Sequence, residues 1–148
     1  MCSIEGFLGM KGIRYLLDTN ILSEPVRESP DTGVIKKLMQ YQYQIALAAP
    51  VYYELLAGCR RLPPSKRRDK LDAYLNVFIS TLPILPYDEK AADWHSSEHV
   101  RLSNEGLTPA FIDSQIAAVA ASNRLIIVTR NVDDFQGFDG LEVENWFS

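Results

Sequence analysis

Short, fully apolar runs alternate along this chain with longer stretches whose apolar residues recur every three or four positions. The first kind predicts buried strand, the second one face of a helix. Arg14 to Leu17 predicts the first strand, closed by Asp18-Thr19-Asn20, whose short polar side chains favour turns and helix caps. Helical spacing follows at Ile21 and Leu22, and again at Val34, Ile35, Leu38 and Met39. Ile45 to Ala48 predicts a second strand, and Pro50 suits the first turn of the next helix, where an N–H would have no intrahelical partner. Tyr52, Leu55, Leu56 and Cys59 stand there at i, i+3, i+4 and i+7 and define an inward face.

Pro63-Pro64-Ser65 breaks that helix, and another is predicted from about Lys66 to Ser80, with Leu71, Tyr74, Leu75 and Phe78 on one side. Ile84-Leu85 is a short strand between prolines, and Asp88 is a candidate cap for a helix through Trp94 to Leu102. Thr108-Pro109 reads as the opening of a helix to about Ala121, followed by strands at Leu125 to Val128 and Leu141 to Val143. Strands alternating with helices imply an α/β fold, a three-layer α/β/α sandwich around a mostly parallel sheet covered on both faces.

A chain of 148 residues and 16.7 kDa predicts one domain, from residue 14 to 148, preceded by a tail at residues 1–13 with no clear period. Met10-Lys11 is a second plausible start within that tail. No apolar run is long enough to span a membrane, and the start does not read as a signal peptide, so a cytoplasmic protein is expected. Two cysteines, Cys2 and Cys59, are too few for a disulfide framework or a zinc cluster, and Cys59 reads as a small buried hydrophobe. The net charge of −4 argues against a protein that coats nucleic acid nonspecifically. Six of the fifteen basic residues nevertheless lie between 60 and 70, so a local basic edge is expected at Arg60, Arg61, Lys66, Arg67 and Arg68.

The chemistry points to acids. Sites in open α/β sheets form beyond the carboxyl ends of the strands. Asp18 follows the first strand directly, and Thr129-Arg130-Asn131 follows the strand ending at Val128. Asp113 lies in a helix otherwise filled with apolar and small residues, at the edge of the Ile112, Ile116, Val119, Ala120 stripe. A carboxylate there needs a partner or a cation, because burying an unpaired charge is costly. Glu54 lies off the inward face of its helix, and periodicity alone reads it as solvated.

The segments Tyr15-Leu-Leu-Asp-Thr-Asn-Ile-Leu-Ser-Glu24, Tyr53-Glu-Leu-Leu-Ala-Gly58, Ile112-Asp-Ser-Gln-Ile-Ala-Ala118 and Val128-Thr-Arg-Asn-Val-Asp-Asp-Phe135 resemble, in this order, the PIN-domain family and its VapC-type toxins. The resemblance covers residues 14 to 147. It implies a PIN-like fold and an endoribonuclease dependent on Mg²⁺ or Mn²⁺, with Asp18, Glu54 and Asp113 as the acidic core. Asp18 and Asp113 are the direct metal ligands in this reading, with Glu54 holding a metal-bound water or a second ion. The fourth acid of the family often follows the Thr-Arg dipeptide, where this chain has Asn131; Asp134 is preferred over Asp133 as the nearby acid because it precedes Phe135. Thr19, Asn20 and Thr129 are candidates to orient the carboxylates, although Thr19 and Asn20 serve equally well as helix caps. Three carboxylates about 5 Å apart would repel by about 3 kcal/mol per pair at an effective dielectric near 20, a penalty a dication removes. The expected partners are RNA, an antitoxin, and a second copy of the chain in a homodimer within a toxin–antitoxin hetero-oligomer.

Three competing readings stand beside this one. His95-Ser-Ser-Glu98-His99 matches the pattern of an inverted zinc protease, with both histidines at i and i+4 but no third ligand block. Leu17-Asp18-Thr19-Asn20 after a strand is also compatible with a phosphorylated-aspartate enzyme, for which no second Asp and Lys pair is evident. Asn131 keeps open a catalytically inactive PIN scaffold that binds RNA or protein.

Overall fold

The computed structural model describes residues 12–148. The tail reading, Cys2 and Met10-Lys11 therefore fall outside the described residues, Gly12 and Ile13 excepted. Five strands, β1 (Tyr15–Leu17), β2 (Ile45–Ala48), β3 (Ile84–Leu85), β4 (Ile126–Val128) and β5 (Val143–Glu144), form one sheet in the order β3-β2-β1-β4-β5. Every neighbouring pair is parallel, with Tyr15 opposite Ile45 on one side and Ile126 on the other. Helices α1 (Thr19–Leu22), α2 (Thr32–Gln40), α3 (Ala49–Arg61), α4 (Lys66–Val77), α5 (Glu89–Asn104) and α6 (Phe111–Asn123) connect and flank the strands.

The central strands are buried along their whole length, Tyr-Leu-Leu and Ile-Ala-Leu-Ala alike, which is why they read as continuous apolar runs and not as an alternation. Each fully buried Leu or Ile contributes about 1.5–3 kcal/mol of transfer free energy. Tyr15, Tyr41 and Trp146 pack with ring centroids 4.8–5.6 Å apart and join the end of the chain to the first strand. The same end lies across α2 at Gly33: a Cβ there would stand 2.9 Å from the Ser148 nitrogen and from the Trp146 carbonyl oxygen.

Several boundaries differ from the sequence expectation for local reasons. The two helical stretches expected at Ile21-Leu22 and from Val34 are separate helices, and between them a 3-10 turn spans Glu24–Val26: α1 stops at Leu22 and α2 starts after the Asp31 cap. Buried Glu24 organises this break, accepting the Asp31 N–H at 2.7 Å and pairing with Arg27 at 3.3 Å. The Thr108-Pro109 opening is corrected: Ala110 is the N-cap and the helix begins at Phe111. The Ala110 carbonyl takes both the Ser114 N–H and the Ser114 hydroxyl, at 3.0 and 3.1 Å, so the first turn closes there with no Thr cap. The helix after Lys66 ends at Val77 and not Ser80, where the Thr81 hydroxyl bonds the Phe78 carbonyl and a 3-10 turn follows. The inward face of α3 is Val51, Leu55 and Cys59, whereas Tyr52 and Leu56 are only half-buried and help line a surface groove of about 500 Å³.

Candidate active site

Asp18 stands at the carboxyl end of β1, where it is both the last residue before α1 and the cap of that helix. Its N–H bonds the Val128 carbonyl at 2.9 Å, carrying the β1–β4 pairing one residue past the strand. The carboxylate is 8% exposed and hydrogen-bonded on both oxygens. Oδ1 accepts the Thr19 N–H at 2.8 Å, and Oδ2 accepts the Thr129 hydroxyl at 2.9 Å and the Asn20 amide at 3.4 Å. Thr129 follows β4 and is fully buried, so two adjacent parallel strands deliver donor and acceptor to one point. Asn20 also accepts the Arg130 N–H at 3.0 Å, binding the two strand ends together.

Glu54 reaches this point from α3. The Thr19 hydroxyl donates to Glu54 Oε1 at 2.7 Å, which holds the carboxylate against α1 and away from the solvated role that periodicity gives it. Asp113 projects from the first turn of α6, half-buried at the edge of the Ile116, Val119, Ala120 stripe. Asp134 lies in the 3-10 turn Val132–Phe135, whose buried Phe135 anchors it to the core.

The charges of these acids act on one another. Burial pushes the Asp113 carboxyl up to about 6, reinforced by the negative charges of Asp18, Asp134 and Glu54. Burial also raises Asp18 above the usual carboxylate range; the Thr129 and Thr19 hydrogen bonds oppose this, and Glu54 and Asp134 add to it. The charge of Asp134 adds to the rise at both Asp18 and Asp113. Asn131 enters through its backbone: its N–H bonds the Thr129 hydroxyl at 3.1 Å, and its carbonyl accepts the Asp134 N–H at 3.1 Å.

An all-oxygen set of mutually repelling carboxylates suits a hard dication such as Mg²⁺ or Mn²⁺. Among the described residues no three His, Cys, Asp or Glu side chains are already drawn together as a metal cage.

The histidine pattern on α5 is not a zinc site. The His95 ring nitrogen Nδ1 shares a 2.8 Å hydrogen bond with the Tyr87 hydroxyl, and burial together with His99 lowers its pKa. Glu98 is committed to Arg101 through contacts of 2.8 and 2.9 Å. The basic run divides into three uses. Arg60 and Arg61 flank the groove along α3 beside Tyr52 and Tyr53. Arg68 instead donates to the Leu62 carbonyl at 3.0 Å, closing the turn between α3 and α4. Lys66 and Arg67 join Arg27 and Lys70 around a cleft of about 940 Å³ between α4 and residues 23–29. Lys70 belongs to the basic run visible between residues 60 and 70, whereas nothing local in the sequence marks Arg27.

The PIN-domain family profile matches residues 15–141. The ribonuclease VapC2 of Rickettsia felis is 29% identical over 133 residues, spanning 89% of this chain and 97% of that protein. FitAcB of Neisseria gonorrhoeae, a solved structure, superposes with a TM-score of 0.81 at 32% identity, over 88% of this chain and 96% of the other. DNA-bound VapBC of Salmonella typhimurium gives a TM-score of 0.80 at 25% identity, over 90% and 98% of the two chains. With a five-stranded parallel sheet, acids gathered at its carboxyl edge and a profile match across most of its length, the chain belongs to the PIN-domain family.

Proposed function

We propose that this chain is the toxin of a toxin–antitoxin pair and acts as an endoribonuclease that hydrolyses RNA phosphodiester bonds with Mg²⁺ or Mn²⁺ at Asp18, Asp113 and Glu54. The observation that carries the reading is Asp18 at the carboxyl end of β1, with Glu54 held at the same point through the Thr19 hydroxyl, together with Asp113, whose carboxyl is pushed up to about 6 by burial first and then by the charges of Asp18, Asp134 and Glu54. The relatives named as ribonucleases and a neighbour solved as a member of the VapBC family of toxin–antitoxin systems support it.

Asp18 and Asp113 are the carboxylates assigned to direct contact with the cation, and Glu54 is held beside them by Thr19. The chemistry a bound Mg²⁺ or Mn²⁺ supplies is activation of a water for attack at phosphorus and neutralisation of charge on the phosphodiester oxygens. Thr129 and the Thr19 N–H each bond one oxygen of the Asp18 carboxylate and hold its plane fixed. Asp113 carries a proton for part of the time near neutral pH and releases it as positive charge approaches. Lys66, Arg67, Arg27 and Lys70 lie beyond the far end of α1, a four-residue helix about 6 Å long, and would track the RNA backbone by neutralising phosphates. The groove between Tyr52, Tyr53 and Leu56 offers apolar surface to a protein partner.

The test is RNA cleavage by the purified chain. Cleavage abolished by EDTA, restored by Mg²⁺ or Mn²⁺ and absent in Asp18→Asn is expected. Metal-independent cleavage that persists in Asp18→Asn refutes the mechanism, and no cleavage of any RNA despite tight RNA binding would favour an inactive scaffold.

A further inference from the structure

Trp94, Glu98 and Arg101 stand at i, i+4 and i+7 on α5 and so share one face of that helix. That face grips the loop that follows Asp134. Arg101 donates from Nε and Nη2 to the two Glu98 oxygens at 2.8 and 2.9 Å, and Nη2 also reaches the Gly137 carbonyl at 2.8 Å. Glu98 is 8% exposed, and its Oε1 accepts the Asp139 N–H at 2.9 Å. Trp94 packs on Phe138 at 5.9 Å, and Phe138 and Phe135 are both buried.

A carboxylate this buried is tolerated when it is paired and its lone pairs are filled, and the planar guanidinium fork fixes the pair in one geometry. Each partner also bonds the backbone of one loop, Arg101 at the Gly137 carbonyl and Glu98 at the Asp139 N–H, while Arg101 Nη1 reaches Glu105 on its own helix at 3.4 Å. Only Phe135 and Gln136 separate that anchor from Asp134: the Phe135 carbonyl accepts the Phe138 N–H at 3.3 Å, and on the other side the Asp134 N–H is tied to the Asn131 carbonyl. The turn is therefore pinned at one end by β4 and at the other by α5.

We propose that Glu98 and Arg101 are positioning residues for the Asp134 carboxylate, pinning the 137–139 backbone to α5 so that the turn presents Asp134 to the acidic edge of the sheet. This rests on Asp134 belonging to the active site as proposed above. Mn²⁺ binding to the full chain, measured by calorimetry, tests it in Arg101→Met, Glu98→Gln, Asp134→Asn and Arg101→Met/Asp134→Asn. Arg101→Met and Asp134→Asn should each weaken Mn²⁺ by about tenfold, the range seen when a supporting hydrogen bond to a metal ligand is removed. The double variant should bind no more weakly than Asp134→Asn alone, because the pair acts only through Asp134. Cleavage by Arg101→Met should recover at saturating Mn²⁺, which a collapsed structure would not allow. Where Arg101→Met does not fold, Glu98→Gln carries the test, because it keeps the shape and weakens only the charge-assisted fork. Wild-type Mn²⁺ affinity in the clamp variants alongside weakened Asp134→Asn, or effects that multiply in the double variant, would overturn the proposal while leaving the ribonuclease reading intact. Wild-type affinity in Asp134→Asn would remove both the fourth acid and the clamp's purpose, with Asp18→Asn still reporting on the rest of the site.

Discussion

Replacing Asp113 by Asn should stabilise the metal-free protein at neutral pH while abolishing its cleavage of RNA. In the folded chain the Asp113 carboxyl is pushed from 3.8 up to about 6 by burial first and then by Asp18, Asp134 and Glu54. The folded state thus binds the proton more tightly than the unfolded chain, and stability contributed by the protonated form is lost as pH rises from about 4 to 6. A shift of about two units corresponds to about 3 kcal/mol. Asp113 is only half-buried, so solvent screening reduces this to about 1–2 kcal/mol. Asn keeps the shape without the charge, so Asp113→Asn should raise Tm by roughly 2–8 °C at pH 7 in EDTA. Near pH 3.5, where the wild-type carboxyl is protonated in the folded state and mostly protonated in the unfolded one, the advantage should nearly vanish. Adding Mg²⁺ should raise the wild-type Tm more than that of the variant, since the cation removes the same repulsion. Differential scanning calorimetry across pH, with and without Mg²⁺, measures all three. A variant no more stable than wild type at pH 7, or a gap of equal size at pH 3.5 and pH 7, would refute the electrostatic account of the site.

At the fourth position, Asp134→Asn should weaken Mn²⁺ binding while Asp133→Asn leaves it within about twofold, because it is the Asp134 charge that adds to the rise at Asp18 and Asp113; equal effects in calorimetry would reject Asp134. Neutralising Arg67 and Lys70 together should raise KM for RNA more than it lowers kcat, and should flatten the log–log salt dependence by about 0.7 for each phosphate that is no longer neutralised; an unchanged salt slope would exclude the cleft as an RNA track. If an antitoxin inserts a basic side chain among Asp18, Glu54 and Asp113, its affinity should fall as Mg²⁺ rises, by reciprocal coupling, and a calorimetric titration insensitive to Mg²⁺ would eliminate direct displacement. Gly33→Ala should destabilise by about 1–3 kcal/mol despite the better helix propensity of Ala, because its Cβ would meet backbone atoms of Trp146 and Ser148 that cannot rotate aside; a raised Tm would contradict the tight C-terminal packing.

The elements that local chemistry dictates were legible along the chain. Tyr15 to Leu17 and Ile45 to Ala48 are apolar without alternation because parallel strands buried on both faces leave no position for a polar residue. Asp18 was readable as a strand-end acid, and Asp113 as a charge out of place in an apolar helix. The order of strands, with β1 between β2 and β4, was set only by long-range pairing, and that order brings Thr129 to Asp18 across 111 positions of sequence. Glu54 is the clearest case of the difference: its helical period reads as solvated, and only the packing of α3 against α1 gives it the Thr19 hydroxyl. Glu98 shows the same limit from the other side, because a His-x-x-Glu-His spacing says where side chains project from a helix but not that Arg101 and the Asp139 N–H already occupy the carboxylate. Sequence period fixes which residues share a face, whereas partners for a carboxylate come from segments distant in the chain, and only the folded sheet and the helices packed on it decide them.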